Sequence, residues 1–305
     1  MNRPAFSVIV PAYNAAPTIG DTIRSVLNQT VADFELIVVD DGSTDDTSSA
    51  VDGFARDARL RHVRQPNAGP SAARNRGLAA AHARYVSFLD ADDLLLPEYL
   101  AVMGETLERS GAAFAHCDFW ILDDRTGNVS PWPLGQLELP SNPQELLRVL
   151  LRRNVVHYAV AARADAVREV GGFNSALKAS EDLELWLRLL ANGFGAVRAP
   201  GRLCVWRDKG GSLSTQATLM ASTLCEVYRI VMDEYDVPAD IRELARMRRN
   251  AELRHLAALS RERPFAAALA RVRRTLGGLP RRRRRAIPQE LAAAFPELAR
   301  SGRSR

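Results

Sequence analysis

The sequence has almost no lysine, few cysteines and no long apolar run, and each shortage narrows what the chain can be. Of 41 basic residues only Lys178 and Lys209 are lysines. Arginine supplies the rest, so coding bias enters any reading of its basic segments. Cys117, Cys204 and Cys225 are odd in number and scattered. They give neither a disulfide framework nor metal-ligand spacing, and a reduced, cytoplasmic setting is expected. No stretch approaches the ~20 apolar residues that span a bilayer. Met1-Asn2-Arg3-Pro4 leads straight into an apolar segment, so no signal peptide is expected.

The 305 residues are 47% hydrophobic, enough for one large core or a core with an accessory part. The net charge of +5 conceals an asymmetry. Residues 242–305 hold 18 Arg against 5 Glu, or +13, which leaves −8 for residues 1–241. An acidic body with a basic tail suggests different partners for the two.

Phe6–Val10, Leu36–Val39 and Tyr85–Leu89 read as short strands rich in apolar residues, and Arg61–Arg64 as a short strand between the last two. Ile19, Ile23, Val26 and Leu27 give one helical face. Ser43 or Thr44 is expected to cap a second helix, with Asp45 and Asp46 in its first turn. Pro70-Ser71 opens an Ala-rich helix to about Arg84, and Pro97 opens one with Leu100, Met103 and Leu107 inward. This alternation predicts a mostly parallel sheet covered on both faces. Beyond it, Phe114–Phe119, Ala159–Ala162 and Leu203–Arg207 read as extended, Asn128–Asn142 as a proline-containing loop, and Gln144–Leu151 as helical. Leu183, Trp186, Leu187 and Leu190 form a further helical stripe. From about Thr215 the pattern is helical, with breaks expected at Pro238, Pro264, Gly277–Pro280 and Pro288.

Two apolar runs stop abruptly at carboxylates: Val38-Val39-Asp40-Asp41-Gly42-Ser43 and Phe88-Leu89-Asp90-Ala91-Asp92-Asp93. Ligands of open α/β sheets bind beyond the carboxyl ends of the strands. Adjacent carboxylates repel and need a compensating partner; a base N–H or ribose hydroxyls would serve, as would a helix-capping turn. In Asp90-Ala91-Asp92 alternation puts both carboxylates on one side, where hard oxygens suit Mg2+ or Mn2+ carrying phosphates, unless the segment is only a solvated acidic loop. Pro11-Ala12-Tyr13-Asn14 can form a slot for a flat base or an ordinary turn. The turn Asn67-Ala68-Gly69-Pro70 leads into a helix bearing Arg74, a cation for an anionic ligand or for a neighbouring Asp. Glu181-Asp182 opens the helix of Trp186. Its carboxylates answer the helix dipole, or Asp182 acts as a general base.

Taken together, Ser7–Asn14, Val39–Asp45, Asn67–Asn75, Asp90-Ala91-Asp92-Asp93 and Glu181-Asp182 followed by Trp186 resemble the family-2 inverting glycosyltransferases. The resemblance covers roughly residues 5–215. It implies an α/β, GT-A type nucleotide-diphospho-sugar transferase fold, with a mostly parallel central sheet flanked by helices. Residues 1–214 would form that domain and residues 215–305 a helical, basic C-terminal extension. By the same resemblance Pro11, Ala12, Tyr13, Asp40, Asp41, Arg74, Asp90 and Ala91 meet the donor nucleotide. Asp92 is the metal ligand, with Asp90 reaching the ion through water or holding the ribose. Asp182 is the catalytic base, and Glu181 and Trp186 lie near the acceptor or donor sugar. The implied donor is a nucleoside diphosphate sugar, UDP before GDP or dTDP, and the acceptor a glycan or lipid-linked hydroxyl in cell-surface polysaccharide synthesis. Many relatives carry a histidine in an aromatic-Arg-x-His segment. Here Trp206-Arg207-Asp208-Lys209 puts a lysine there, which either meets the diphosphate and lessens reliance on the cation or is an ordinary surface-loop lysine.

Arg271, Arg273, Arg274 and Arg281–Arg285 can contact anionic lipid at the inner face of the cell membrane or simply be solvated. Nucleic acid is not expected, since the segment lacks interleaved aromatics. A nucleotidyltransferase would more naturally show a Gly-rich, basic loop at Pro11–Thr18, and a non-catalytic nucleotide-sugar binder has less use for Asp90, Asp92 and Asp182 together.

Overall fold

A computed structural model describes residues 3–132, 139–156, 160–209, 216–275 and 287–296, with the backbone alone for 261–275. The Arg281–Arg285 run and the side chains of Arg271, Arg273 and Arg274 thus lie outside the described residues. In chain order the elements are β1 (Phe6–Ala12), α1 (Ile19–Leu27), β2 (Phe34–Asp40), α2 (Thr47–Asp52), β3 (Leu60–Arg64), α3 (Pro70–Ala80), β4 (Tyr85–Phe88), β5 (Leu94–Leu95), α4 (Tyr99–Ser110), β6 (Phe114–Asp123) and β7 (Asn128–Pro131). There follow α5 (Pro143–Arg152), β8 (Val160–Arg163), α6 (Ala164–Glu169), α7 (Glu181–Ala191), β9 (Ala196–Asp208), α8 (Ala217–Asp233), α9 (Ala239–Thr275) and α10 (Gln289–Ala294).

The alternating half of the sequence makes a parallel block, β3-β2-β1-β4. Period-2 alternation divides it cleanly. Val8, Val10, Leu36 and Val38 enter one apolar cluster, while Ile9, Ile37 and Val39 enter another. Both faces are therefore covered, as the run of strands and helices requires. Beyond β4 the sheet is mixed: β8 is antiparallel to β4 and β6, β9 is parallel to β6, and β5 and β7 add antiparallel at β9 and β6. Because β1, β2 and β4 are parallel and in register, Ala12, Asp40 and Phe88 end at one edge of the sheet.

Several expectations are corrected by contacts distant in sequence. The second helix starts at Thr47, not near Ser43. Asn14 ties residues 43 and 44 to the end of β1: its N–H donates to Ser43 Oγ (3.1 Å) and its Oδ1 accepts from Thr44 N–H (2.9 Å). Asp45 then accepts from Thr47 N–H at 3.0 Å. α3 ends at Ala80, before Arg84, where the guanidinium of Arg61 takes the Ala80 carbonyl and Arg168 those of Leu78 and Ala81. Cations suit a helix C-terminus. Asn128–Pro131, read as loop, pairs with β6 as β7. No break falls at Pro264, and α9 runs across it.

The C-terminal helices join the main core. Val227, Tyr228 and Val231 of α8 and Ile241 and Ala245 of α9 pack in the cluster that holds Leu147, Leu151 and Trp186. Leu291 of α10, with Phe295 just beyond it, packs against Trp120, Val205 and Leu94. Among the described residues no helix is long and apolar enough to cross a membrane.

One close approach fixes how α3 lies on the sheet. A Cβ at Gly77 would stand 2.3 Å from Cγ2 of Ile9, fully buried on the central strand. Alanine is the better helix former by ~1 kcal/mol, but overpacking a rigid core costs roughly 1–3 kcal/mol. Gly77→Ala is expected to lower the urea midpoint. An unchanged or raised midpoint would mean that Ile9 yields freely.

Candidate active site

The edge where β1, β2 and β4 end opens into a cleft of about 1070 Å³. Pro11, Ala12, Tyr13, Asp41, Arg74, Asp90, Ala91, Asp92, Glu181, Asp182, Trp186 and Lys209 all line it. Asp40 does not. It is turned into the loop after β2, where Oδ1 accepts from Ser43 N–H (2.9 Å) and Oδ2 from Ser48 Oγ. Burial would raise its pKa, but the bonds from Ser48 and Ser43 outweigh that and hold it below the usual range. Asp40 thus supports the turn that carries Asp41 and stands behind the cleft lining.

Asp41 faces the cleft, 3% exposed. Its Oδ1 accepts from Gln65 Nε2 (2.7 Å) and Ala68 N–H (2.9 Å), and Oδ2 from Gly69 N–H (2.8 Å). Its own N–H donates to Ala12 O at 2.8 Å. One carboxylate thus pins the turn into α3 against the end of β1. Gly69, at φ +88, makes the reversal that puts Pro70 at the first turn of α3.

Arg74, one turn into α3, bridges the cleft. One amino group donates to Glu181 Oε1 (2.6 Å), the other to Asp90 Oδ1 (2.7 Å), and the guanidinium lies over the Phe173 ring at 5.3 Å. Burial alone would lower its pKa; Asp90 and Glu181 overcome this and raise it. Asp92 is met by Lys209, with Nζ 3.0 Å from Oδ2. The two-residue strand β5 explains that contact. It pairs antiparallel with β9, and Asp93 Oδ1 accepts from Arg207 N–H at 2.8 Å. The acidic loop is thereby fastened beside the end of β9, where Lys209 follows. Asp93 is fully buried, and burial, then Asp92 and Asp90, push it well above the usual carboxylate range.

Asp182 stands in the first turn of α7, its Oδ1 accepting from Leu183 N–H at 2.7 Å. Burial first, then the charge of Glu181, pushes its pKa up to about 6, against the pull of that N–H and of Arg74. The preceding Ser180 has φ 55 and Asn14 has φ 49, and both line the cleft. Left-handed backbone at a non-glycine residue costs roughly 1–2 kcal/mol, so strain gathers at the two turns that aim Tyr13 and Asp182.

Among the described residues no three His, Cys, Asp or Glu converge as a ready metal cage. The Asp90 and Asp92 pair nonetheless fits a divalent ion. Each has one oxygen in an ion pair and one beyond it. Asp92 is raised by burial and then by Asp90, with Lys209 opposing. A cation would relieve that repulsion, and Mg2+ or Mn2+ usually takes one or two carboxylates with phosphates and water completing the shell.

The far wall was not anticipated from the sequence. Met220, Leu224 and Tyr228 of α8, Arg248 of α9, and Leu150 and Asn154 at and beyond the end of α5 also line the cleft. The i, i+4, i+8 spacing of the first three marks a single helix face, but nothing in the sequence says that it borders a cavity.

The family model for glycosyl transferase family 2 matches residues 7–164. The succinoglycan biosynthesis protein ExoU of Rhizobium meliloti is 32% identical over 289 residues, covering 86% of this chain and 80% of that protein. Against the first of the curated relatives, an uncharacterized glycosyltransferase of Rickettsia conorii, the chain is 35% identical and spans 21% of the relative's length. Two solved structures share the fold. One is S. aureus TarS 1–349 in complex with UDP-GlcNAc, with TM-score 0.65, 21% identity and coverage of 79% of this chain and 70% of that one. The other is the mannosyltransferase PcManGT of Pyrobaculum calidifontis in complex with GDP-Man and Mn2+, with TM-score 0.61, 22% identity and coverage of 88% and 81%.

Breaking a buried ion pair strands its partner and costs about 3 kcal/mol or more. Arg74→Gln is expected to lower stability by that order in urea titration, chiefly through Glu181. It should also move Asp182 further above about 6, because Arg74 is one of the influences holding that carboxyl down. A carboxyl NMR titration reads the second effect; a fall in the Asp182 pKa would contradict it.

Proposed function

We propose that this chain, which belongs to glycosyl transferase family 2, moves a sugar from a nucleoside diphosphate sugar to an acceptor hydroxyl with inversion, in the synthesis of a surface polysaccharide. UDP is the preferred nucleotide, and the acceptor is a glycan or lipid-linked hydroxyl. One observation carries the reading: Arg74 joins the acidic loop after β4 to the start of α7, so Asp90, Asp92 and a raised Asp182 share one cleft. The UDP-GlcNAc complex of TarS and the GDP-Man and Mn2+ complex of PcManGT support a nucleotide sugar as donor class, and the name of ExoU supports polysaccharide synthesis. The catalytic role falls to residues 1–214, and α8 and α9 of the C-terminal region add Met220, Leu224, Tyr228 and Arg248 to the far wall.

In this reading Pro11, Ala12 and Tyr13 flank the base and Asp41 shapes its floor. Arg74 and Lys209 face the diphosphate, whose charge grows as it departs. A divalent ion held by Asp92, with Asp90 beside it, would supply further neutralisation of that charge. Asp182 takes the proton of the acceptor hydroxyl as its oxygen attacks the anomeric carbon. The nucleoside diphosphate leaves from the opposite face, so one displacement inverts the centre and no covalent sugar–enzyme intermediate forms. A base of pKa about 6 is ionised at neutral pH yet still basic enough to take a proton.

Two measurements test this. Only ionised Asp182 can accept the proton, so kcat/KM should rise tenfold per pH unit below about 6 and level off above it. Asp182→Asn should lose roughly 100-fold or more in transfer, lose that acid limb, and keep donor affinity by calorimetry; full activity would end the reading. As a separate hypothesis, motivated by its contact with Asp92, Lys209 shares the cation's work. Lys209→Ala is then expected to weaken donor affinity roughly tenfold and to make turnover more dependent on Mn2+, read as a larger fold-loss of rate when the ion is chelated. Unchanged values for both would remove Lys209 from the mechanism.

A further inference from the structure

The cleft extends beyond its acidic end to where α5, α7, α8 and α9 pack together. Among the described residues, three polar groups there are shut from solvent without a partner: Trp186 Nε1, Asn154 Oδ1 and Arg248 Nε. Trp186 is 2% exposed, its ring stacked on Phe114 at 5.3 Å. Buried polar groups are normally satisfied, so two donors and one acceptor on a cavity wall mark a place built for a polar ligand. The guanidinium of Arg248 lies 5.9 Å from the centre of the Tyr228 ring, and the nearest carboxylate, Glu252 on its own helix, stands at 3.9 Å. That is beyond hydrogen-bond reach, while the Tyr228 side chain takes one hydrogen bond from the guanidinium, so the remaining donors of Arg248 are available to an incoming anion. The other end of the cleft carries Asp90, Asp92, Glu181 and Asp182. An anionic group on a substrate is repelled there and attracted at Arg248.

We propose that this end of the cleft seats the acceptor, and that Arg248 selects an acceptor bearing an oxyanion, a carboxylate or a phosphate, beside the sugar to be extended. The inference rests on the transferase reading above, which supplies the donor at the opposite end.

The test uses the full chain and three probes titrated calorimetrically in the presence of saturating UDP: p-nitrophenyl β-glucoside, the matching β-glucuronide and the matching 6-phosphoglucoside. The wild type is expected to bind at least one anionic glycoside roughly tenfold more tightly than the neutral one, and the tighter of the two tells carboxylate from phosphate. Arg248→Gln should abolish the preference with UDP affinity unchanged, and Arg248→Lys should keep part of it. Absence of any preference or of any glycoside binding in the wild type overturns the proposal, as does a preference that survives Arg248→Gln. Failure of UDP, GDP and dTDP alike to bind the wild type would instead sink the transferase reading.

Discussion

Arg74 is held between carboxylates from opposite walls of the cleft, Asp90 after β4 and Glu181 at the start of α7. These segments lie about ninety residues apart in the chain, and the guanidinium joins them through paired, charge-assisted bonds. Such bridges are poor sources of net stability, because desolvation cancels much of the attraction. Their value lies in geometry. The planar fork fixes both partners at once, which a lysine's single ammonium cannot do. Through Glu181 the bridge also sets the surroundings of Asp182, whose raised pKa depends on burial and on its neighbour's charge.

The cleft is deliberately unbalanced. Asp90, Asp92, Glu181 and Asp182 face Arg74 and Lys209 across it, and a diphosphate would add more negative charge. The imbalance is tolerable because the acids are separated by function. Asp90 and Glu181 share the charge of Arg74, Asp92 leans on Lys209, and Asp182 has no cation of its own among these contacts.

The parallel block was legible because local period and strand order fix it: apolar runs ending at Asp41 and at Asp90 must reach one edge once β1, β2 and β4 are parallel. The gathering of Arg74, Glu181 and Asp182 there was legible only through a resemblance spanning the whole set. What stayed hidden was decided by partners remote in sequence. Which of two adjacent aspartates turns inward depends on Asn14 gripping residues 43 and 44. The end of α3 depends on guanidinium groups from β3 and α6. The contact between Lys209 and Asp92 depends on a strand of two residues, too short to carry a periodicity. The far wall depends on α8 and α9, whose buried face reads the same whether it meets other side chains or a cavity.

The missing side chain at Gly77 reaches further than packing. It sets the height at which α3 rides above Ile9, and Arg74 projects from that helix one turn earlier. The helix is stiff, so any bulk added beneath it tilts the cation away from both acids. The Arg74 end of the cleft is thus calibrated from underneath, by a contact that lies outside the cleft itself.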